Sequence, residues 1–174
     1  MHIPAEEILN FHTRRTQCHI DCLNYFASLL GYHFPEHDND KNHDPIRIGY
    51  AYGNYVTYHP GCMMPAAALD AFKAAKAEHH RNAPHHVEHY ARISDIPKIR
   101  LAEMICDWHS ANFEEIRILH NCEYSSVSDF FDRIMGPRDW TPAQREFVRE
   151  TIEFIAARAD MTRVQEIWRP LMLL

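Results

Sequence analysis

The sequence predicts an all-α fold, a bundle of six to eight helices in a single domain spanning residues 1–174. Apolar residues recur at three-, four- and seven-residue spacing, which is the period of helices with one buried face. The chain has five glycines and few Val, Ile or Thr runs, and this argues against a sheet-rich fold. Its length is sufficient to bury a core.

The first helix is predicted over residues 4–30. Pro4 suits a first-turn position, because the N–H that proline lacks would have no hydrogen-bond partner within the helix there. His19, Leu23 and their apolar neighbours share one face, and Gly31 ends the helix.

Later helix boundaries follow from prolines and capping residues. Residues 46–59 fit either a helix or a loop, because their tyrosines can line both. Asp44-Pro45 is interpreted as an N-cap followed by a first-turn proline. The further predicted helices run from Pro65 to about His80, from residues 94–97 through Trp108, from Ser125 or Ser126 to before Gly136, from the Thr141 capping box to about Ala157, and from there to Pro170.

Composition and charge exclude several classes of protein. The net charge is -6 and the basic residues are scattered, so no nucleic-acid polymer is expected as a partner. The apolar runs are too short for a membrane span, and no signal pattern is recognised. Five cysteines without framework spacing indicate reduced thiols and a cytoplasmic protein. The sequence does not decide whether the chain forms a homo-oligomer.

The chain is unusually rich in histidine, with 14 residues, most of them between His12 and His89. They are dispersed through helical sequence rather than contiguous as in a purification tag. Histidine is the commonest metal ligand, so the excess indicates a metal site.

The first candidate ligands are His37 and Asp38, in a polar bend and followed by Lys41. Adjacent His and Asp can bind one or two metals where the backbone turns, and the lysine can neutralise the negative charge of a bound phosphate. The alternative is a solvated loop. A second pair, His43-Asp44, is assigned to helix capping.

His19 is predicted to lie on the apolar face of the first helix. A buried histidine needs partners for both ring nitrogens, so it is either a metal ligand or a core histidine bonded to a carbonyl. Cys18 and Cys22 are interpreted as buried core residues rather than ligands.

The densest group of candidates lies in residues 78–89, where Asn82 and Pro84 predict a bend. That bend would aim two pairs of histidines inward from two directions, although a structural role is also possible. The four candidate ligands are His79, His80, His85 and His86.

Asp107 lies in an apolar predicted helix, one turn after Glu103. Two buried carboxylates on one face require a nearby cation or strong donors. The alternative is a salt bridge from Asp107 to Arg100 or to another arginine. Histidine and carboxylate ligands together favour Mn, Fe, Co, Ni or Zn, as one or two ions.

In order along the chain, His19, His37-Asp38 and Asp107 resemble the His…His-Asp…Asp pattern of the HD-domain superfamily of metal-dependent phosphohydrolases. The resemblance implies an HD-like helical bundle, and the His-Asp-x-x-Lys form with extra histidines resembles the branch that binds two metals. Four stretches also resemble an uncharacterised family of domains of unknown function, over about residues 10–155: Thr16–Ile20, His37–Lys41, Asn82–Tyr90 and Glu103–Trp108.

The function expected from this resemblance is metal-dependent hydrolysis of a small phosphate ester or nucleotide. Lys41, Arg81 and Arg15 would neutralise the ester, while Glu88 or Glu103 would orient the water or act as general base. One alternative is a di-iron protein that activates oxygen. Another is a metal-stabilised binding module without turnover.

Overall fold

A computed structural model describes residues 4–172, and within that range the chain forms seven α-helices and no β-strand. The predicted all-α bundle of six to eight helices is therefore confirmed. The helices are α1 (Ala5–Leu29), α2 (Ile46–Tyr58), α3 (Ala66–Asn82), α4 (Lys98–Phe113), α5 (Val127–Phe130), α6 (Pro142–Arg158) and α7 (Met161–Met172).

Helix α1 lies at the centre of the bundle and packs against α2, α4, α6 and α7. Its buried face combines apolar side chains such as Leu23 and Phe26 with the polar His12 and His19. The helix ends at Leu29, and Gly31 terminates it as predicted, because that residue adopts the left-handed backbone at φ 76° that glycine tolerates. The polar residues on this face need partners from the neighbouring helices.

Residues 46–58, for which the sequence left helix and loop open, form α2. Gly49 and Gly53 lie one turn apart on the face of α2 that meets α3. A side chain at Gly49 would collide with Ala75, and one at Gly53 with Phe72. This close packing brings the C-terminal end of α3 beside the bend that precedes α2.

Two predicted helix boundaries are wrong. Asp44 does not cap α2, since its carboxylate pairs with Arg47 at 2.9 Å and Pro45 directly precedes the helix. Helix α7 does not end at Pro170 but continues to Met172. The buried side chains of Trp168 and Leu171 hold its last turns against the bundle, which outweighs the backbone hydrogen bond that proline lacks.

Other local predictions are confirmed. Thr141 and Gln144 form the reciprocal capping box at the start of α6. Cys18 and Cys22 are buried, and all five cysteines are free thiols. Among residues 4–172, none of the helices combines the length and the apolar character needed to cross a membrane.

A buried ion pair joins α1 to the end of α4. The Arg15 guanidinium donates to both carboxylate oxygens of Glu114, and the Tyr58 hydroxyl of α2 donates to the same carboxylate at 2.7 Å. Burial alone would raise the pKa of Glu114, but Arg15 outweighs it and lowers that pKa. Three helices therefore meet at one compensated charge.

Removing one partner of this pair should destabilise the bundle strongly. We expect Arg15→Met to lower the free energy of unfolding by about 3–5 kcal/mol, because it leaves the Glu114 carboxylate buried and uncompensated. Urea unfolding followed by tryptophan fluorescence measures the change.

Two further variants make that test specific. The double variant Arg15→Met/Glu114→Leu should recover most of the loss, because it removes both charges. Arg163→Met, in a pair whose side chains are 60% and 57% exposed, should change stability by less than about 1 kcal/mol. An equal loss in the single and double Arg15 variants would contradict the charge argument.

Candidate metal centre

Four separate segments bring ionisable side chains to one buried place: α1, the bend before α2, the end of α3 with the turn after it, and α4. Asp38 adopts the left-handed backbone at φ 57°, a conformation that aspartate takes more readily than most residues. Of the predicted ligands, those whose atoms meet here are His19, His37, Asp38, His79, His85, His86 and Asp107.

Two of the histidines are held by an acceptor on their Nδ1 side. The Nδ1 atom of His79 lies 2.8 Å from an Asp40 carboxylate oxygen. The Nδ1 atom of His19 lies 3.1 Å from the Ser110 hydroxyl, which donates its own hydrogen to the His19 carbonyl. The Asp40 carboxylate requires a hydrogen on Nδ1 of His79, and in both rings Nε2 is the atom that faces the cluster.

Glu103 contacts the Nδ1 atoms of two further histidines, His37 and His85. Its Oε1 atom lies 3.0 Å from Nδ1 of His37 and 3.5 Å from Nδ1 of His85. A carboxylate accepts hydrogen bonds and donates none when ionised, so these rings also direct Nε2 inward. The same orientation thus occurs in four histidines from three segments.

The four Nε2 atoms converge on the Asp38 carboxylate. Oδ1 lies 3.7 Å from His37, 3.2 Å from His79 and 3.5 Å from His85, while Oδ2 lies 3.7 Å from His19. Asp38 is 2% exposed, so solvent contributes little to stabilising its charge. It is the geometric centre of the site.

Two of the ligand-spaced groups of three residues lie around Asp38. In the first, Oδ1 of Asp107 is 2.9 Å from Nε2 of His19 and 3.7 Å from Nε2 of His37. Ligand atoms about 2.1 Å from one ion and at right angles are separated by about 3 Å, so the closer pair has the spacing of two ligands.

The second group consists of His79, His85 and His86. Its ligand atoms all lie within 4.8 Å of one another, and Nε2 of His86 is 3.0 Å from Nε2 of His79. The site can therefore offer two groups of three ligands around one shared carboxylate.

Burial and charge strongly perturb these groups. Burial alone would raise the pKa of Asp38, but Lys41 and the histidines outweigh it and hold that pKa well below its usual range. Burial alone would lower the pKa of His37, yet the carboxylates of Asp38, Asp107 and Glu103 raise it to about 9. Burial and the neighbouring histidines lower the pKa of His86 to about 2. The carboxylates are ionised and attract a positive charge.

Three buried atoms at the centre lack a hydrogen-bond partner among the described residues: Nε2 of His37, Oδ1 of Asp38 and Nε2 of His85. Buried polar atoms are normally paired, because an unpaired one costs roughly 1–3 kcal/mol. These atoms belong to one group with ligand spacing. Nitrogen and carboxylate donors that face each other without partners fit a bound transition metal.

Lys41 is placed beside Asp38, as the His-Asp-x-x-Lys spacing suggested. Its Nζ atom donates to Oδ2 of Asp38 at 2.7 Å and lies 4.9 Å from the centre of the Tyr50 ring. The Lys41 carbonyl accepts from Nε2 of His12, whose Nδ1 accepts from Asn54. His12 thus fixes the backbone of the bend.

Several predicted residues lie at the edge of the site or outside it. His80 is half-buried, its ring stacks on that of His86 at 4.0 Å, and its Nδ1 lies 3.7 Å from the exposed Glu88 carboxylate. Arg81 is exposed at the end of α3. Arg15 is engaged by Glu114. Arg100, considered as a partner for Asp107, instead pairs with Glu103 at 2.6 Å.

Sequence reasoning missed three contributors. Asp40 follows the His-Asp pair directly, and its charge beside candidate ligands was an available signal. Ser110 lies one turn after Asp107 on α4, but nothing in a lone serine indicates that it holds a histidine. Tyr50 packs against His79 at 5.8 Å between ring centres, which only the α2–α3 packing determines.

A cavity of about 440 Å³ lies next to the cluster. It shares His37, Asp38 and His85 with the candidate centre. The remaining wall combines apolar side chains with polar ones, among them Phe34, Pro84, Ile99, Arg100 and Glu103. A volume of this size is typical of small-molecule sites.

Comparison with known proteins places the chain in a family. No curated protein and no solved structure matches it. One family profile matches residues 9–158, which is most of the chain. The chain therefore belongs to the family described as "Family of unknown function (DUF5662)".

Proposed function

We propose that the protein is a metal-dependent phosphohydrolase that acts on a small phosphate ester or nucleotide. The observation that carries the proposal is the buried trio of unpaired atoms, Nε2 of His37, Oδ1 of Asp38 and Nε2 of His85. Burying such atoms without partners is unfavourable, and two divalent cations that share Asp38 would satisfy all three.

The residues that would hold metal fall into two sets. His19, His37 and Asp107 would hold one ion, and His79, His85 and His86 a second, with Asp38 shared between them. Mixed imidazole and carboxylate ligands suit Mn, Fe, Co, Ni or Zn. When bound, such ions lower the pKa of water and polarise a phosphoryl oxygen.

The order of ligands along the chain adds support. His19, His37-Asp38 and Asp107 come from three different segments and converge in the order that resembles the HD-domain superfamily. In that superfamily, the residues of this pattern characterise metal-dependent phosphohydrolases. Membership of the superfamily is part of this proposal.

Cations of the chain itself would help with an anionic substrate. Lys41 Nζ pairs with the shared Asp38 carboxylate. If Asp38 bound metal, this pairing would weaken, and the positive charge of Lys41 would be available to a phosphate. Arg100 lines the adjacent cavity with a side chain that is 39% exposed. The size of that cavity supports a small ester rather than a polymer.

Metal binding should depend on Asp38 and not on the second His-Asp pair. We expect wild-type protein stripped with a chelator to take up two Co²⁺ ions per chain. Asp38→Asn should weaken binding by well over the roughly 100-fold typical of a lost hydrogen bond to a ligand. Isothermal titration calorimetry and elemental analysis, on protein without a histidine tag, measure both.

The matched control is Asp44→Asn, since Asp44 also follows a histidine but is exposed and pairs with Arg47. It should bind metal like the wild type. Co²⁺ at about 100 times its Kd should also add about 2.7 kcal/mol per site to wild-type stability and raise Tm. Absence of micromolar binding by the wild type would rule out the metal centre.

Turnover should require the same residues. A screen of phosphate monoesters, diesters and nucleotides with Mn²⁺ or Co²⁺ should reveal release of phosphate or of a phosphomonoester. Asp38→Asn and Asp107→Asn should lower kcat/KM by more than about 100-fold, because each removes a charge that holds the ions. Asp44→Asn should retain wild-type activity.

The same experiments separate the alternatives. A coloured, iron-loaded protein that consumes oxygen and releases no phosphate would favour the di-iron oxygenase. A protein in which Asp107→Asn lowers Tm, while even the metal-loaded wild type turns over no ester, would favour the binding module.

A further inference from the structure

Glu103 lies on α4, one turn before Asp107, but it faces a different side of the cluster. Its side chain is 3% exposed. Oε1 contacts the Nδ1 atoms of His37 and His85 at 3.0 and 3.5 Å, while Oε2 accepts from Arg100 at 2.6 Å. Both oxygens are therefore engaged on the side of the rings that is turned away from Asp38.

The two histidines share a ligand-spaced group with Asp38, but in the assignment proposed above they would hold different ions. His37 lies with His19 and Asp107, and His85 lies with His79 and His86. Their rings are nevertheless adjacent, with centres 4.1 Å apart. A single carboxylate oxygen thus contacts one ring from each group.

Resting on the metal centre of the proposed function, we propose that Glu103 is a positioning residue that orients one ligand of each ion and so couples the binding of the two ions. It does not act as the general base, because its oxygens face Nδ1 atoms and Arg100 rather than the space between the ligands.

The coupling follows from the shared contact. An ion that binds Nε2 of His37 fixes that ring and, through its Nδ1–H, fixes the carboxylate. The carboxylate is then already in position to accept from Nδ1 of His85. Ordering His85 therefore costs less free energy when the second ion binds. Arg100 contributes by fixing the other oxygen, which restricts rotation of the carboxylate.

The isosteric variant Glu103→Gln tests this directly. An amide has one acceptor and one donor end, so either orientation places an N–H against Arg100 or against a histidine Nδ1–H. In a Co²⁺ titration of metal-free full-length protein, the wild type should bind two ions cooperatively. The variant should bind both about 10–100-fold more weakly and without cooperativity.

The visible absorption spectrum of bound Co²⁺ provides a readout that a loss of stability alone would not change, because it reports the geometry of the ligands. We expect an altered spectrum for Glu103→Gln and a wild-type spectrum for Glu150→Gln, an exposed glutamate on α6. Should Glu103→Gln lose its helical circular dichroism, the half-exposed Arg100→Gln replaces it, with a smaller loss of affinity and the same loss of cooperativity.

The outcomes separate this inference from the proposed function. Two ions bound with wild-type affinity, cooperativity and spectrum by Glu103→Gln would overturn the positioning role and leave the metal centre intact. Wild-type protein that binds no Co²⁺ would overturn both.

Discussion

The organisation of this protein depends on one buried carboxylate, that of Asp38. It is withdrawn from water in the middle of a helical bundle, and four imidazole Nε2 atoms lie within 3.7 Å of it. An isolated buried charge is costly, so the surroundings must supply positive charge through Lys41, protonated histidine or bound metal. Side chains from α1, from the bend before α2 and from the end of α3 with the turn after it surround this carboxylate, and α4 holds some of them in place.

The arrangement is held from outside as well as from inside. Asp40, Glu103 and Ser110 contact the outer nitrogens of the histidines, which restricts the rotation of the rings. Such preorganisation reduces the ordering cost of binding. The buried Arg15–Glu114 pair is built on the same principle, because there too a charge inside the bundle is matched by a fixed partner.

Much of the fold followed from local chemistry. The Thr141 capping box and the turn at Gly31 were predicted because each depends on one to four neighbouring residues. The state of residues 46–58 was not decided locally, since their tyrosines suit a helix or a loop. Contact of Gly49 and Gly53 with α3 decided it. The extension of α7 past Pro170 likewise depends on the buried Trp168 and Leu171, which a local rule about proline does not include.

By itself, the sequence determined the helical class, the types of candidate ligand and their order along the chain. The tertiary structure decided which of them meet. His79 and His80 are neighbours, yet His79 is buried against Asp38 and His80 stacks at the edge, because successive side chains on a helix point about 100° apart and only packing selects the inward one. In the same way, Arg100 reaches Glu103 rather than Asp107, and Glu103 reaches the two histidines, because these directions depend on how distant segments pack.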